Sequence, residues 1–138
     1  MINMNESYGE KRFSRLKQFL YQVRDGRSNV RMLEQRISYR EDLVECMEEP
    51  AAEQGAIETL QEKLEQAETA LAQAIVTVSD AICQLKDINQ QTVLSKFYID
   101  GKTWECIALE MDKPVRWAQK VHGRALPLLE QLLYGSED

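Results

Sequence analysis

A heptad seam without a gap constrains this chain more than any other feature. Ile57, Leu64, Leu71, Val78 and Leu85 fall every seventh residue, and Leu60, Ala67, Ala74, Ala81 and Ile88 fall three after each. Such spacing places all ten side chains along one side of a helix and cannot be laid onto the alternating faces of a strand. The alanines of the companion row allow a partner helix to come close. A matching row lies upstream, with Leu16, Val23, Val30, Ile37 and Val44 in one line and Phe19, Leu33 and Met47 in the other. Gly26 and Arg40 interrupt that second line. The segment Asp25-Gly26-Arg27-Ser28-Asn29 reads as either a kink or a break. Glu48 to Gly55 contains Pro50, Gly55 and no apolar pattern, and reads as a connection between the two helices.

These patterns predict a long antiparallel, coiled-coil-like helical hairpin over residues 1–86, with residues 1–9 as a loose end and helix from about Glu10. The downstream helix also carries Ile75 and Ile82 beside its seam. One interrupted partner helix leaves part of so broad a stripe uncovered. The expectation is therefore a homodimer or higher oligomer in which a second hairpin covers it.

Near Lys86 the periodicity changes, and residues 87–138 read as a second unit. Thr92 to Ile99 is a short helix with Val93, Leu94, Phe97 and Tyr98 inward, stopped by Asp100-Gly101. Thr103 can cap the next helix, Trp104 to Met111, by accepting an amide hydrogen bond in its first turn. Asp112-Lys113 makes a turn, and Pro114, which has no N–H to leave unpaired, suits the first position of a last helix running to about Tyr134. Pro127 falls inside that helix and predicts a bend, turning Leu128, Leu129, Leu132 and Leu133 toward the hairpin. Two helices joined by a tight turn, the second one basic, form the helix-turn-helix pattern. Ile107, Ala108 and Met111 are expected to meet Ala118, Val121 and Ala125.

The net charge of −6 hides an uneven distribution. Residues 48–86 hold eight acids and two bases, whereas Lys113 to Leu126 holds Lys113, Arg116, Lys120 and Arg124 and no acid. For a nucleic-acid partner, a local basic face matters more than the balance of the whole chain. The outward face of the last helix begins with Val115, Arg116, Gln119, Lys120 and Gly123, and Arg116, Lys120 and Arg124 recur every fourth residue along one stripe. Arginine can read a guanine edge and glutamine an adenine edge, and lysine serves base or phosphate. Lys102 and Thr103, at the start of the preceding helix, are placed to hold phosphate. Trp104 reads as a core residue. Trp117 either joins the same core or packs on the hairpin. His122 either touches phosphate or makes a structural hydrogen bond.

The segment Phe97-Tyr98-Ile99-Asp100-Gly101-Lys102-Thr103-Trp104-Glu105-Cys106-Ile107-Ala108, followed by Val121-His122-Gly123-Arg124-Ala125-Leu126, resembles the C-terminal part of phage regulators similar to region 4 of bacterial sigma factors. Late transcription regulators of the RinA/ArpU type, and related prophage proteins, have this arrangement. The resemblance covers about residues 88–133. It implies a sigma region-4-like helix-turn-helix, promoter-proximal binding of double-stranded DNA, and recognition residues at Val115, Arg116, Gln119 and Lys120. Direct contact with RNA polymerase is compatible with it and is left open. Pro114 and Pro127 depart from the family pattern.

The expected function is thus a sequence-specific DNA-binding transcription regulator of phage or prophage type. Two alternatives are a packaging component like a small terminase subunit and a helical structural adaptor. An enzyme is not expected. The sequence has no Gly-rich phosphate loop, no clustered His/Cys/Asp set and no nucleophile–base pair, so catalytic residues, metal ligands and cofactors are all expected to be none. Cys46, Cys83 and Cys106 are far apart and read as reduced thiols. No apolar run is long enough for a membrane span, and none near Met1 resembles a signal peptide, which points to the cytoplasm of a bacterial host cell.

Overall fold

The computed structural model describes residues 13–135, and the regular structure of those residues is all helical. The expected loose end at residues 1–9, the helix onset near Glu10 and the acidic Glu137–Asp138 lie outside the described residues. We label the helices α1 (Ser14–Val44), α2 (Ala51–Ile82), α3 (Ile88–Leu94), α4 (Trp104–Glu110) and α5 (Val115–Tyr134). A π-helical turn, Ser95–Ile99, continues α3.

α1 and α2 pack along each other in opposite directions, as two pairings between them show. Gly26 of α1 lies against Leu71 of α2, and Arg40 of α1 pairs with Glu53 of α2 at 2.7 Å. Both interruptions in the upstream seam thus have a use. α1 runs unbroken through Asp25–Asn29. A Cβ added at Gly26 would stand 3.2 Å from the Leu71 Cδ1, a tight contact that Leu71 would have to shift slightly to accept. Arg40 reaches past the seam to a half-buried carboxylate.

The seam of α2 ends sooner than its heptads do. The helix stops at Ile82, and Leu85 is buried from within the connection that follows. Ile88 is exposed at the first position of α3. Asp87 is the physical cause of the new start. Its carboxylate accepts hydrogen bonds from the amides of Asn89 at 2.8 Å and Gln90 at 3.2 Å, an N-cap that begins α3 four residues before the expected Thr92.

The main core forms where the lower ends of α1 and α2 meet the rest of the chain. Leu16, Leu20 and Val23 of α1 and Val78, Ala81 and Ile82 of α2 enclose Leu94 and Tyr98, together with Ala125, Leu126 and Leu129 of α5. Ile75 packs at its edge. Ile82, beside the seam of α2, is buried in this core, which the π-helical turn and α5 of the same chain help to close, while Val76 of α2 stays exposed. Of the leucines expected to turn toward α1 and α2, Leu129 is buried and Leu133 is half-buried, while Leu128 and Leu132 face outward. α5 remains continuous across Pro127.

A smaller core of Val93, Ile107 and Ala118 holds α3, α4 and α5 together, with Trp104, Met111, Trp117 and Val121 around it. Both tryptophans belong here. Ala125, expected in this contact, instead joins the main core.

Because α5 supplies side chains to both cores, the two halves of the chain should melt together. Leu129→Ala removes a fully buried side chain and should cost about 3 kcal/mol. A single thermal transition at lower temperature, observed by both far-UV circular dichroism and Trp fluorescence, is the expected result. Two separate transitions would show that the halves unfold independently.

Candidate nucleic-acid interface

The arrangement of α4 and α5 is fixed by backbone chemistry at three points. Thr103 has extended backbone angles, and its hydroxyl accepts the Cys106 amide at 3.2 Å. This is the expected cap, and it occupies the hydroxyl. At the other end of α4, the Lys113 amide donates to the Ala108 carbonyl at 2.9 Å and the Asp112 amide to the Leu109 carbonyl at 3.2 Å. That pair of bonds is a Schellman closure. It requires a left-handed residue, and Asp112 takes this role with φ 54°. Aspartate accepts this conformation better than most residues with a side chain. Pro114 then stands one position earlier than expected. It is extended (ψ 152°) and precedes the helix, Val115 is the first helical residue, and the Pro114 carbonyl accepts the Trp117 amide at 3.0 Å.

With α5 held by Ala118, Ala125, Leu126 and Leu129, its opposite side is free. Arg116, Gln119, Lys120 and Arg124 are all exposed there, and Val115 is half-buried at the start. Among the described residues, none of these three cations has a carboxylate within ion-pair distance. Gly123 lies on the same side, and a Cβ there would meet nothing within 4 Å. The carbonyl deprived of its amide partner by Pro127 is that of Gly123, one turn earlier on this exposed side.

Lys102 differs from the expectation for a free phosphate ligand. Its ammonium lies 2.6 and 2.8 Å from the two carboxylate oxygens of Glu110, which also takes Lys96 at 2.8 Å. Hydrogen bonds from Lys102 and then Lys96 hold the Glu110 carboxyl at about 2, far below its ordinary range, and the same contact raises Lys102. The start of α4 lies beside the middle of α5, where Trp104 meets His122, and Lys102 is shared with Glu110. The spacing of Lys96, Lys102 and Glu110 follows no helical period, so sequence periodicity did not reveal the cluster.

Behind this surface lies a group of rings. Phe97 stacks on Trp104 at 4.3 Å, Trp104 meets the His122 ring edge-on at 5.1 Å, and the Tyr98 hydroxyl is 2.7 Å from His122 Nε2. Burial, with the nearby charge of Lys17, depresses the His122 pKa to about 4. Burial pushes the Tyr98 phenol above its ordinary range. A protonated phenol and a neutral imidazole share one hydrogen bond between the Tyr98 hydroxyl and Nε2. His122 thus makes a structural hydrogen bond.

Among the described residues, no group of three or more His, Cys, Asp or Glu side chains could hold a metal ion, and no helix is long and apolar enough to cross a membrane. The three cysteines are exposed and unpaired in disulfides. No family model, no curated protein and no solved structure matches the chain.

The depressed His122 pKa has a defined pH consequence. Between about pH 6.5 and pH 4 the unfolded chain binds a proton at this position that the folded chain does not. Its stabilising effect is complete above pH 6.5 and declines as pH falls toward 4, by about 3 kcal/mol in total. Urea midpoints measured from pH 7 to pH 4.5 should fall for the native protein. They should change much less for His122→Gln, which starts less stable at pH 7. Equal slopes for the two proteins would place the titration elsewhere.

Proposed function

We propose that this chain binds double-stranded DNA through α4, the Asp112–Pro114 turn and α5 acting as a helix-turn-helix of the sigma region-4 kind, and that it regulates transcription in the manner of the phage and prophage proteins it resembles. The observation that carries this reading is the outer side of α5. It presents Arg116, Gln119, Lys120 and Arg124 to solvent, with no acid on that helix before Glu130. Exposed cations without carboxylate partners keep their full charge for an external polyanion. Gln119, between Arg116 and Lys120, adds a side chain suited to an adenine edge. In this reading Thr103 and Lys102, at the start of α4, add phosphate contacts through backbone amides and an ammonium. Gly123 lets a backbone approach α5 closely.

Arg116→Ala and Gln119→Ala should each weaken binding to the preferred site by about 1–3 kcal/mol and relax base preference at one position. The test is selection of duplexes from the source genome with the native protein, followed by affinity measurements on the recovered site. Retention of full affinity and preference by both variants would remove α5 as the reading helix.

Glu110→Gln makes a second, opposite prediction. It frees Lys102 and Lys96 from their shared carboxylate. Affinity for all duplexes should rise, and the dependence on salt should steepen by about 1 for each ammonium recruited to a phosphate. Unchanged salt dependence would exclude Lys102 from phosphate contact.

A further inference from the structure

The side of α1 that faces the loop before α4 carries a second set of cations. Arg24, Arg27, Ser28 and Arg31 line an open cleft of about 330 Å³ with Lys102 and one carboxylate, Asp100. Arg27 Nη1 donates to the Ile99 carbonyl, which ties α1 to the end of the π-helical turn. Arg24 lies over the Tyr21 ring at 3.9 Å and, in a well-exposed pair, is 3.5 Å from Asp25. Arg31 is exposed and has no ion-pair partner among the described residues. Gly101, at φ 70°, leaves the loop without a side chain at the cleft's edge.

Three properties of this cleft identify its ligand. The lining holds four cations against Asp100, and two of the four, Arg24 and Lys102, also have carboxylate partners in Asp25 and Glu110, which leaves Arg27 and Arg31 without one. The arginines are strung along a helix rather than converging on a point, which suits a polymer better than a small anion. Arg24 and Arg31 stand about 10 Å apart along the axis, a length over which one DNA strand carries about three phosphates. Lys102, one of the residues assigned above to DNA, also lines the cleft.

We infer that Arg24 and Arg31 of α1, with Lys102, grip the DNA backbone alongside the bases read by α5, so that the long helix is a second contact arm of the same interface. The inference rests on the DNA-binding reading and extends it to residues outside the last third of the chain.

The test uses the full chain, a mixed-sequence duplex of about 30 base pairs, roughly three turns, and fluorescence anisotropy over a salt series. The double variant R24Q/R31Q should bind about tenfold more weakly at physiological salt. Its slope of log affinity against log salt should be shallower by about 1.8, or 0.9 for each phosphate no longer neutralised. Both side chains are exposed, so its melting curve should match that of the native protein. The control K63Q/K86Q, which removes equal charge from α2 and the connection after it, should retain the native slope. An equal loss in the control would overturn the inference, since net charge alone would then explain the effect. A native slope for R24Q/R31Q, with binding abolished in R116A/Q119A, would overturn the α1 arm and leave the DNA-binding reading standing. Absence of duplex binding by the native chain at low salt would overturn both. Loss of an oligomer in light scattering, without a change of slope, would assign the cleft to the acidic helix of a second copy and overturn the inference.

Discussion

Phe97 and Tyr98 are adjacent in the chain but must be buried in different surroundings. Phe97 packs against both cores and stacks on Trp104, whereas Tyr98 enters the main core and bonds to His122. An α-helix would rotate neighbouring side chains too quickly around its axis to keep Phe97, Tyr98 and Ile99 all facing protein. The wider π turn, closed by the Asp100 amide on the Ser95 carbonyl at 3.0 Å, does so. It also leaves the Ile99 carbonyl free to accept from Arg27. The π turn is thus one of two links between α4–α5 and α1–α2, the other being the direct burial of Ala125, Leu126 and Leu129 in the main core. Insertions of this kind are common at functional sites, where they re-aim side chains at the expense of regular hydrogen bonding.

What was legible in the sequence follows from the range of each interaction. The Thr103 cap, the Asp112-Lys113 turn and the exposed stripe of α5 depend on neighbours within a turn, and residue type and spacing located them. The end of α2 was hidden because Leu85 keeps its seam position by burial while leaving the helix. Asp87, followed by two amides to accept, was the available signal of a new helix start. Gly26 and Arg40 read as defects because their partners, Leu71 and Glu53, are fixed only by the register of the two helices. Likewise Lys102 and Glu110, or Tyr98 and His122, meet across a fold rather than along a helix. The place of Ile75 and Ile82 in a core shared with α1, the π turn and α5 could not be read either, since periodicity reports which side of a helix is apolar but not which element covers it.

The charge layout gives the molecule a direction. α2 carries Glu53, Glu58, Glu62, Glu65, Glu68 and Asp80 against Lys63 alone, while α1 has the arginines and α5 the unpaired cations. For the proposed polyanionic partner, the acidic helix repels where the basic faces attract. A chain of net charge −6 can then present one orientation to DNA during diffusional encounter rather than many.

α5 is a single rod with both ends in use, Arg116 at its outer start and Leu129 deep in the main core. At about 1.5 Å per residue, these positions are about 20 Å apart along the axis. A rod of that length is a lever. A rotation of about 5° about the buried end carries the Arg116 backbone sideways by about 1.7 Å, as much as one residue's rise. Between the two ends Pro127 removes one backbone hydrogen bond, the one the Gly123 carbonyl would accept. Small changes of packing around Leu129 are thereby magnified at the far end of the helix, and substitutions in the core that leave the fold intact can still alter where the outer residues point.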